Sequence, residues 1–184
     1  MPFFLIESVY ENEHNATDGR LRTDAYHAVL SRAAGQVFGN NPIWHFEGPG
    51  LYPAPVAWQE ALRSQGSLSM THLRELLGRV SWWLLEADLI NSFLTSGIGS
   101  GFDRAVAARA ADRSFAIVYL PSARGISLDL GQLAGPRVAA RWYDPRNGIF
   151  SKVEGSPVPT AGSQSLRPDA DTQNDRVLLL RSES

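Results

Sequence analysis

The residues best equipped for chemistry lie together near the start of the sequence, in PFFLIESVYENEHN over positions 2–15. Glu7, Glu11 and Glu13 offer carboxylates, His14 an imidazole and Tyr10 a phenol. A carboxylate can serve as nucleophile, general base or metal ligand, and an imidazole can exchange protons near neutrality. Glu7 with His14 or His45 would make a general-base pair. Glu11, Glu13 and His14 fall within four residues and could share a metal, although polar groups in one loop are more often simply solvated. A second group follows in GNNPIWHF, where Asn40, Asn41, Trp44 and His45 are close in sequence. Amide donors and aromatic faces suit the hydroxyls and C–H surface of a sugar. The plainer reading is that Asn-Asn-Pro is a turn and Trp44 a core residue.

These groups need elements to hold them. Phe3, Phe4, Leu5 and Ile6 form a continuous apolar run that predicts a strand buried on both faces, with Glu7 at its end. Residues 17–34 carry apolar side chains at helical spacing, with Thr17 as N-cap and Gly35 where the helix would stop. Residues 36–38 read as a second short strand, so strand, helix and strand form a βαβ unit whose strands should be parallel. Carboxylates and aromatics at the C-terminal ends of parallel strands are where barrel and doubly wound enzymes keep their chemistry. Residues 56–65 suggest a short helix. Met70, Leu73, Leu76, Leu77 and Val80 mark a stronger one, capped by Ser67 or Ser69.

The second half has a different character. TSGIGSG at 95–101 is the best linker in the chain. Beyond it, runs at 105–109, 114–120, 125–130, 138–143, 149–153 and 176–181 read as short strands separated by turn residues. Asp-Pro-Arg-Asn-Gly at 144–148 is the strongest turn among them. Such spacing predicts a small antiparallel sandwich, with 157–175 looping over its surface.

Composition narrows the classes. The chain has 184 residues, 43% hydrophobic and 20% charged, with 17 basic and 19 acidic side chains and a net charge of −2. No basic block argues for nucleic acid. No apolar run reaches the ~20 residues of a membrane span, and no basic segment precedes the first strand as in a signal peptide. Cysteine is absent, so neither disulfides nor thiolate chemistry arise. Ser96 and Ser100 lack the flanking glycines of a nucleophile elbow, and GIGSG lacks the Lys of a phosphate loop.

Taken together, PFFLIESVYENEH, LRTDAYHAVLSRAAGQVFGNNPIWHF and HLRELLGRVSWWLLEAD resemble the end of apiosidase-like glycoside hydrolases, which are (β/α)8 barrels. SFAIVYLPSARGISLDL and RWYDPRNGIF resemble the β domain that follows such barrels, in the family labelled as a collagen-binding domain of a collagenase. The resemblance implies an α/β plus all-β chain. Residues 1–94 would be a C-terminal barrel fragment holding the seventh and eighth strands, 95–102 a linker and 103–184 a β-sandwich. It implies Glu7 as the catalytic nucleophile, and Tyr10, Glu11, His14, Asn40, Asn41, Trp44 and His45 as substrate-binding residues. The family's Gly-Glu-Pro becomes Ile6-Glu7-Ser8 here, while its Tyr-Glu pair is kept as Tyr10-Glu11. The acid/base of such enzymes comes from an earlier strand, so a chain with two barrel strands should be impaired.

The expected activity is hydrolysis of O-glycosidic bonds in plant or microbial polysaccharide, with a carbohydrate substrate, no metal and no cofactor. A bare half-barrel should associate with copies of itself. Members of the family are commonly bacterial and often exported. Two other readings are a non-catalytic accessory or binding module built on the sandwich, and a small serine-type esterase on a reused scaffold.

Overall fold

The computed structural model describes residues 3–46, 48–50, 52–168 and 174–183. The first part forms β1 (Phe3–Leu5), β2 (Tyr10–Glu11), α1 (Asp18–Leu30), β3 (Ala33–Gln36), β4 (Gly39–Asn40), α2 (Trp58–Ala61) and α3 (Gln65–Leu77). After a 3₁₀ turn at Trp82–Leu84 come β5 (Leu85–Ala87), β6 (Leu94–Ser96), β7 (Val106–Ala110), β8 (Phe115–Leu120) and β9 (Ile126–Asp129). The chain closes with β10 (Arg137–Asp144), β11 (Ile149–Lys152), β12 (Val158–Pro159), β13 (Ser163–Leu166) and β14 (Arg176–Glu183).

The sheet in the middle has seven strands in the order β11-β10-β14-β8-β7-β5, with β12 also pairing β10. Every pairing in it is antiparallel. Phe115 to Leu120 is apolar throughout, and every residue of β8 is buried. A strand of that kind needs cover on both sides. One side is covered by the antiparallel sheet β13-β9-β6, whose Leu94, Ile126, Leu128 and Leu166 meet Val118, Leu120, Ala140 and Leu178 in one core. The other side is covered by α1 and α3, through Ala25, Tyr26, Leu30, Leu73 and Leu76 against Ile117, Tyr119, Val177 and Leu179.

Local chemistry sets both helices. Thr17 caps α1 by accepting a hydrogen bond from the Arg20 amide at 3.2 Å. Ser64 caps α3, three residues ahead of the expected Ser67, and accepts from the Ser67 amide at 3.4 Å. Ser69 is instead buried within α3, bonded to the Gln65 carbonyl at 2.7 Å. Helix α1 ends at Leu30 because Arg32 turns into the left-handed region, at φ 74°.

The two halves meet in a core rather than across a free linker. Strand β5 joins the large sheet beside β7, and β6 pairs with β9 in the small one. Leu94–Ser96 is therefore strand where a linker was expected to begin. Below α1, the buried Arg22 guanidinium clasps the buried Asp175 carboxylate twice, at 2.7 and 3.1 Å, across 153 positions of sequence. Asp18 and Ser69 accept from the same guanidinium, and Tyr119 donates to Asp175 at 3.0 Å. Burial works against the charge on Arg22, but the hydrogen bonds it donates to Asp175 and Asp18 outweigh it and hold the guanidinium protonated. Tyr26 lies flat on Tyr119, ring centroids 4.5 Å apart.

Several sequence expectations need correction. Strand β1 is not buried on both faces: Phe3 and Phe4 are 48% and 49% exposed and Ile6 is 73% exposed. Its neighbour β3 starts at Ala33, not residue 36, because Phe3 pairs Ala33 and Leu5 pairs Gln36. The two strands are parallel, as a βαβ unit requires, and β2 and β4 form a second parallel pair. No closed barrel forms among the described residues. The stretch 157–175 is not simply a loop, since β12 and β13 lie in it; residues 169–173 fall outside the described set.

Candidate active site

Two parallel strand pairs carry the residues singled out from sequence. Beyond β1 the chain runs through exposed Glu7 into β2, and beyond β3 it runs into β4. Tyr10 pairs with Gly39 and Glu11 with Asn40. The Tyr10 ring lies over Gly39, where a Cβ would come within 2.3 Å of it, so glycine is required at that position.

Adjacent residues of a strand point to opposite sides, and that rule separates Tyr10 from Glu11. Tyr10 turns towards Glu7. Its hydroxyl is raised by burial first, then by the charge of Glu7 and a hydrogen bond with it. Glu11 turns the other way and is buried against the start of α3. Its carboxylate accepts from the Asn40 amide at 2.7 Å, the Ser64 hydroxyl at 2.6 Å and the Gly66 backbone amide at 2.8 Å. A carboxylate at a helix N-terminus satisfies free N–H groups and complements the helix dipole. Gly66 permits this approach, because a Cβ there would lie 2.5 Å from the carboxylate.

The loop after β4 folds back on the same region. Asn41 is fully buried; its Oδ1 accepts from His45 Nε2 at 2.8 Å, while its amide N–H donates to the Pro53 carbonyl at 3.0 Å. Trp44 is 42% exposed and donates its indole N–H to Glu13 at 2.9 Å. Trp44 and His45 meet edge to face at 4.5 Å. His14 and Tyr52 do likewise at 4.9 Å, with Nε2 and the Tyr52 hydroxyl 2.9 Å apart. Asn12, His14 and Asn15 hold left-handed backbones, at φ 67°, 50° and 57°. Such conformations gather where a loop is fixed for function.

Glu7, Tyr10, Glu13, Trp44 and His45 thus share one rim, and Glu11, Asn40 and Asn41 form the scaffold beneath it. Glu11, Glu13 and His14 do not converge, and no group of three metal-binding side chains gathers among the described residues. Ser96 donates to Ser127 at 3.3 Å, and neither it nor Ser100 bonds a histidine there. A cleft of about 1060 Å³ opens between α1 and the sandwich, lined by Thr17, Arg20, Phe102 and Asp175, but of the expected residues only His14 borders it. The strand-end residues other than His14 thus lie apart from that cleft, whose own carboxylates are Asp18, Asp103 and Asp175. Sequence reading weighed Glu13 only as a metal ligand and passed over Tyr52 and Gly66 as site residues. A glycine in the first turn of a helix, two residues after its serine cap, was the signal available for the last.

The chain superposes on a solved structure described as a glycoside hydrolase with a TM-score of 0.86 at 25% identity over 99% of its length. It also superposes on the crystal structure of a glycoside hydrolase family 5 protein from Bacteroides vulgatus, with a TM-score of 0.81 at 26% identity over 98% of its length. It spans 42% and 41% of those two chains. Residues 1–84 match the family described as "Apiosidase-like, catalytic domain", and residues 91–181 match the "Putative collagen-binding domain of a collagenase". The chain is thus similar, segment by segment, to an apiosidase-like catalytic domain and then to that β domain. No curated protein matches it.

Proposed function

We propose that this chain carries the nucleophile half of a glycosidase site, with Glu7 as the attacking carboxylate. The observation supporting this reading is the position of Glu7: exposed just beyond β1, where its charge raises the Tyr10 hydroxyl, next to the loops that carry Glu13, Trp44 and His45. In a retaining mechanism Glu7 attacks the anomeric carbon while a second carboxylic acid protonates the departing oxygen. Tyr10 steadies the nucleophile, and Trp44, His45 and His14 receive the sugar. Glu11, Asn40 and Asn41 position them from below.

Glu11 is bound to α3 and Glu13 to Trp44, so the reading assigns the acid/base to a strand outside residues 1–184. On this view β1 and β3 are the seventh and eighth strands of a (β/α)8 barrel whose other strands cover Phe3, Phe4 and Ile6. Residues 1–94 serve the reaction, 103–184 brace it, and 95–102 connect them. Alone, the chain covers its apolar strands by pairing with a second copy and hydrolyses polysaccharide poorly.

Dinitrophenyl glycosides test the reading, because their leaving group departs without protonation. Hydrolysis of these substrates that disappears in Glu7→Gln is the expected result. Equal hydrolysis by Glu7→Gln, or cleavage of short aryl esters that Ser100→Ala removes, would overturn it.

A further inference from the structure

The helix-covered face of the large sheet does not stay covered to its end. Past the last turn of α3, registers place Arg137, Arg141, Arg181 and Lys152 on that same face: Arg141 pairs Lys152 and Leu179, Ala139 pairs Arg181, and side chains two apart share a side. Arg79, just beyond α3, joins them. All five cations are exposed. Arg79, Arg141 and Arg181 line a hollow of about 70 Å³, floored by Ala139, Leu179 and Phe150.

The cations are held in place. Arg141 and Arg79 lie over the Phe150 ring at 4.7 and 5.4 Å, an attraction between cation and ring face. Arg181 donates to the Arg79 carbonyl at 2.5 Å, and Arg137 donates to the Pro157 carbonyl. None of the five forms an ion pair among the described residues. Five other arginines, Arg20, Arg22, Arg124, Arg146 and Arg176, have an aspartate within 3.6 Å, while ones with no ion pair among the described residues, such as Arg32, Arg63 and Arg113, stand outside this cluster. Two acids come near. Glu183 pairs Arg137 across the sheet, and Glu75 lies one turn before Arg79 but leans on His72 at 3.8 Å. In a chain of net charge −2, gathering like charges without counter-ions is unfavourable unless something anionic completes the group.

We propose that this hollow binds the acidic group of an anionic polysaccharide, a uronate carboxylate or a sulfate ester. The hollow is small, about 70 Å³, the scale of one acidic group rather than of a polymer segment. Guanidiniums grip carboxylates and sulfates through paired N–H donors, and the rest of the polymer lies across the exposed edge at β11. The choice of a glycan rests on the glycosidase reading. The hollow lies about one helix length, roughly 20 Å, from the Glu11 end of α3, so it would hold the polymer near the rim and raise its local concentration.

Electrophoresis of the whole chain through gels holding polygalacturonate, dextran sulfate, neutral dextran or polyglutamate tests the proposal. The chain should be retarded by one or both acidic polysaccharides, which tells carboxylate from sulfate, and released as salt rises. Arg141→Gln combined with Arg181→Gln should weaken that binding by about tenfold or more, the scale of one charge-assisted hydrogen bond. Arg74→Gln, on another side of α3, should leave it unchanged. Circular dichroism confirms that each variant is folded. Equal retardation by neutral dextran, or none by any polymer, overturns the proposal. So does unchanged binding by the double variant, and stronger retardation by polyglutamate assigns the hollow to an acidic protein. Glu7→Gln should bind as the parent does, so loss of the hydrolytic reading and loss of this one are read separately.

Discussion

The two faces of the large sheet are built on different principles. Towards β13-β9-β6 the core is almost wholly aliphatic, with Leu94, Ile126, Leu128, Val118 and Leu178 interleaved and Trp142 as the large ring. Towards α1 and α3 it is rich in tyrosine, with Tyr26, Tyr119 and Tyr143 buried. Its ends are polar: the Arg22–Asp175 pair at one and the unpaired arginines at the other. The first face closes a domain on itself. The second is where residues matching one family pack on residues matching another. Polar groups there fix how the helices sit on the sheet, because a buried charge tolerates only the geometry that pairs it.

The comparison can be broken most sharply at Arg22. Arg22→Ala strands Asp175 without a cation in the core and should cost about 3–5 kcal/mol in denaturant unfolding. Replacing both partners, Arg22→Met with Asp175→Leu, should recover most of that loss. If the double variant is as unstable as the single one, the pair is not what joins the faces. Next come Leu128→Ala on the sandwich side and Leu76→Ala on the helix side, each expected to cost about 2–5 kcal/mol. Both should lower the midpoint of one shared transition. Two separate transitions would mean that the faces fold independently.

Glu11→Gln is a smaller change, about 1–3 kcal/mol, since an amide keeps one acceptor but turns its donors either towards the Gly66 N–H or towards Ser64 and Asn40. It should also lower turnover of dinitrophenyl glycosides by disturbing Asn40, which separates it from a loss of stability alone. Alkali gives the gentlest test. Burial raises the Tyr26 and Tyr119 hydroxyls well above their ordinary value and pushes Tyr143 up to about 12. A raised folded value means that this stabilisation is whole below pH 10.0, the unperturbed value, and is lost as pH rises towards 12. The tyrosinate absorbance of these three buried rings, over and above that of Tyr10 and Tyr52, should therefore appear together with the loss of helix signal, while the aliphatic face adds nothing to that pH dependence.

Much of the sandwich could be read in advance. Alternation in Ile126-Ser127-Leu128-Asp129 and the apolar run of β8 state their environments directly. Strands β5 and β13 could not: Leu-Glu-Ala follows a helix-like stretch, and Ser-Gln-Ser-Leu has one apolar residue. Pairing partners, not composition, make them strands. The rim was legible because it sits at strand ends. The role of Glu11 was not, since the sequence shows alternation but not which side faces α3. Nor could any local signal join Arg22 to Asp175, which lie 153 positions apart.

One further consequence follows from the arginine bias of the chain. Of its 17 basic residues, Lys152 alone is a lysine, and it is exposed beside the hollow on β11. An amine-reactive fluorophore would therefore meet a single side-chain target. Dye placed there would report polymer arriving at the arginines by a change in its own emission, with no engineered attachment point.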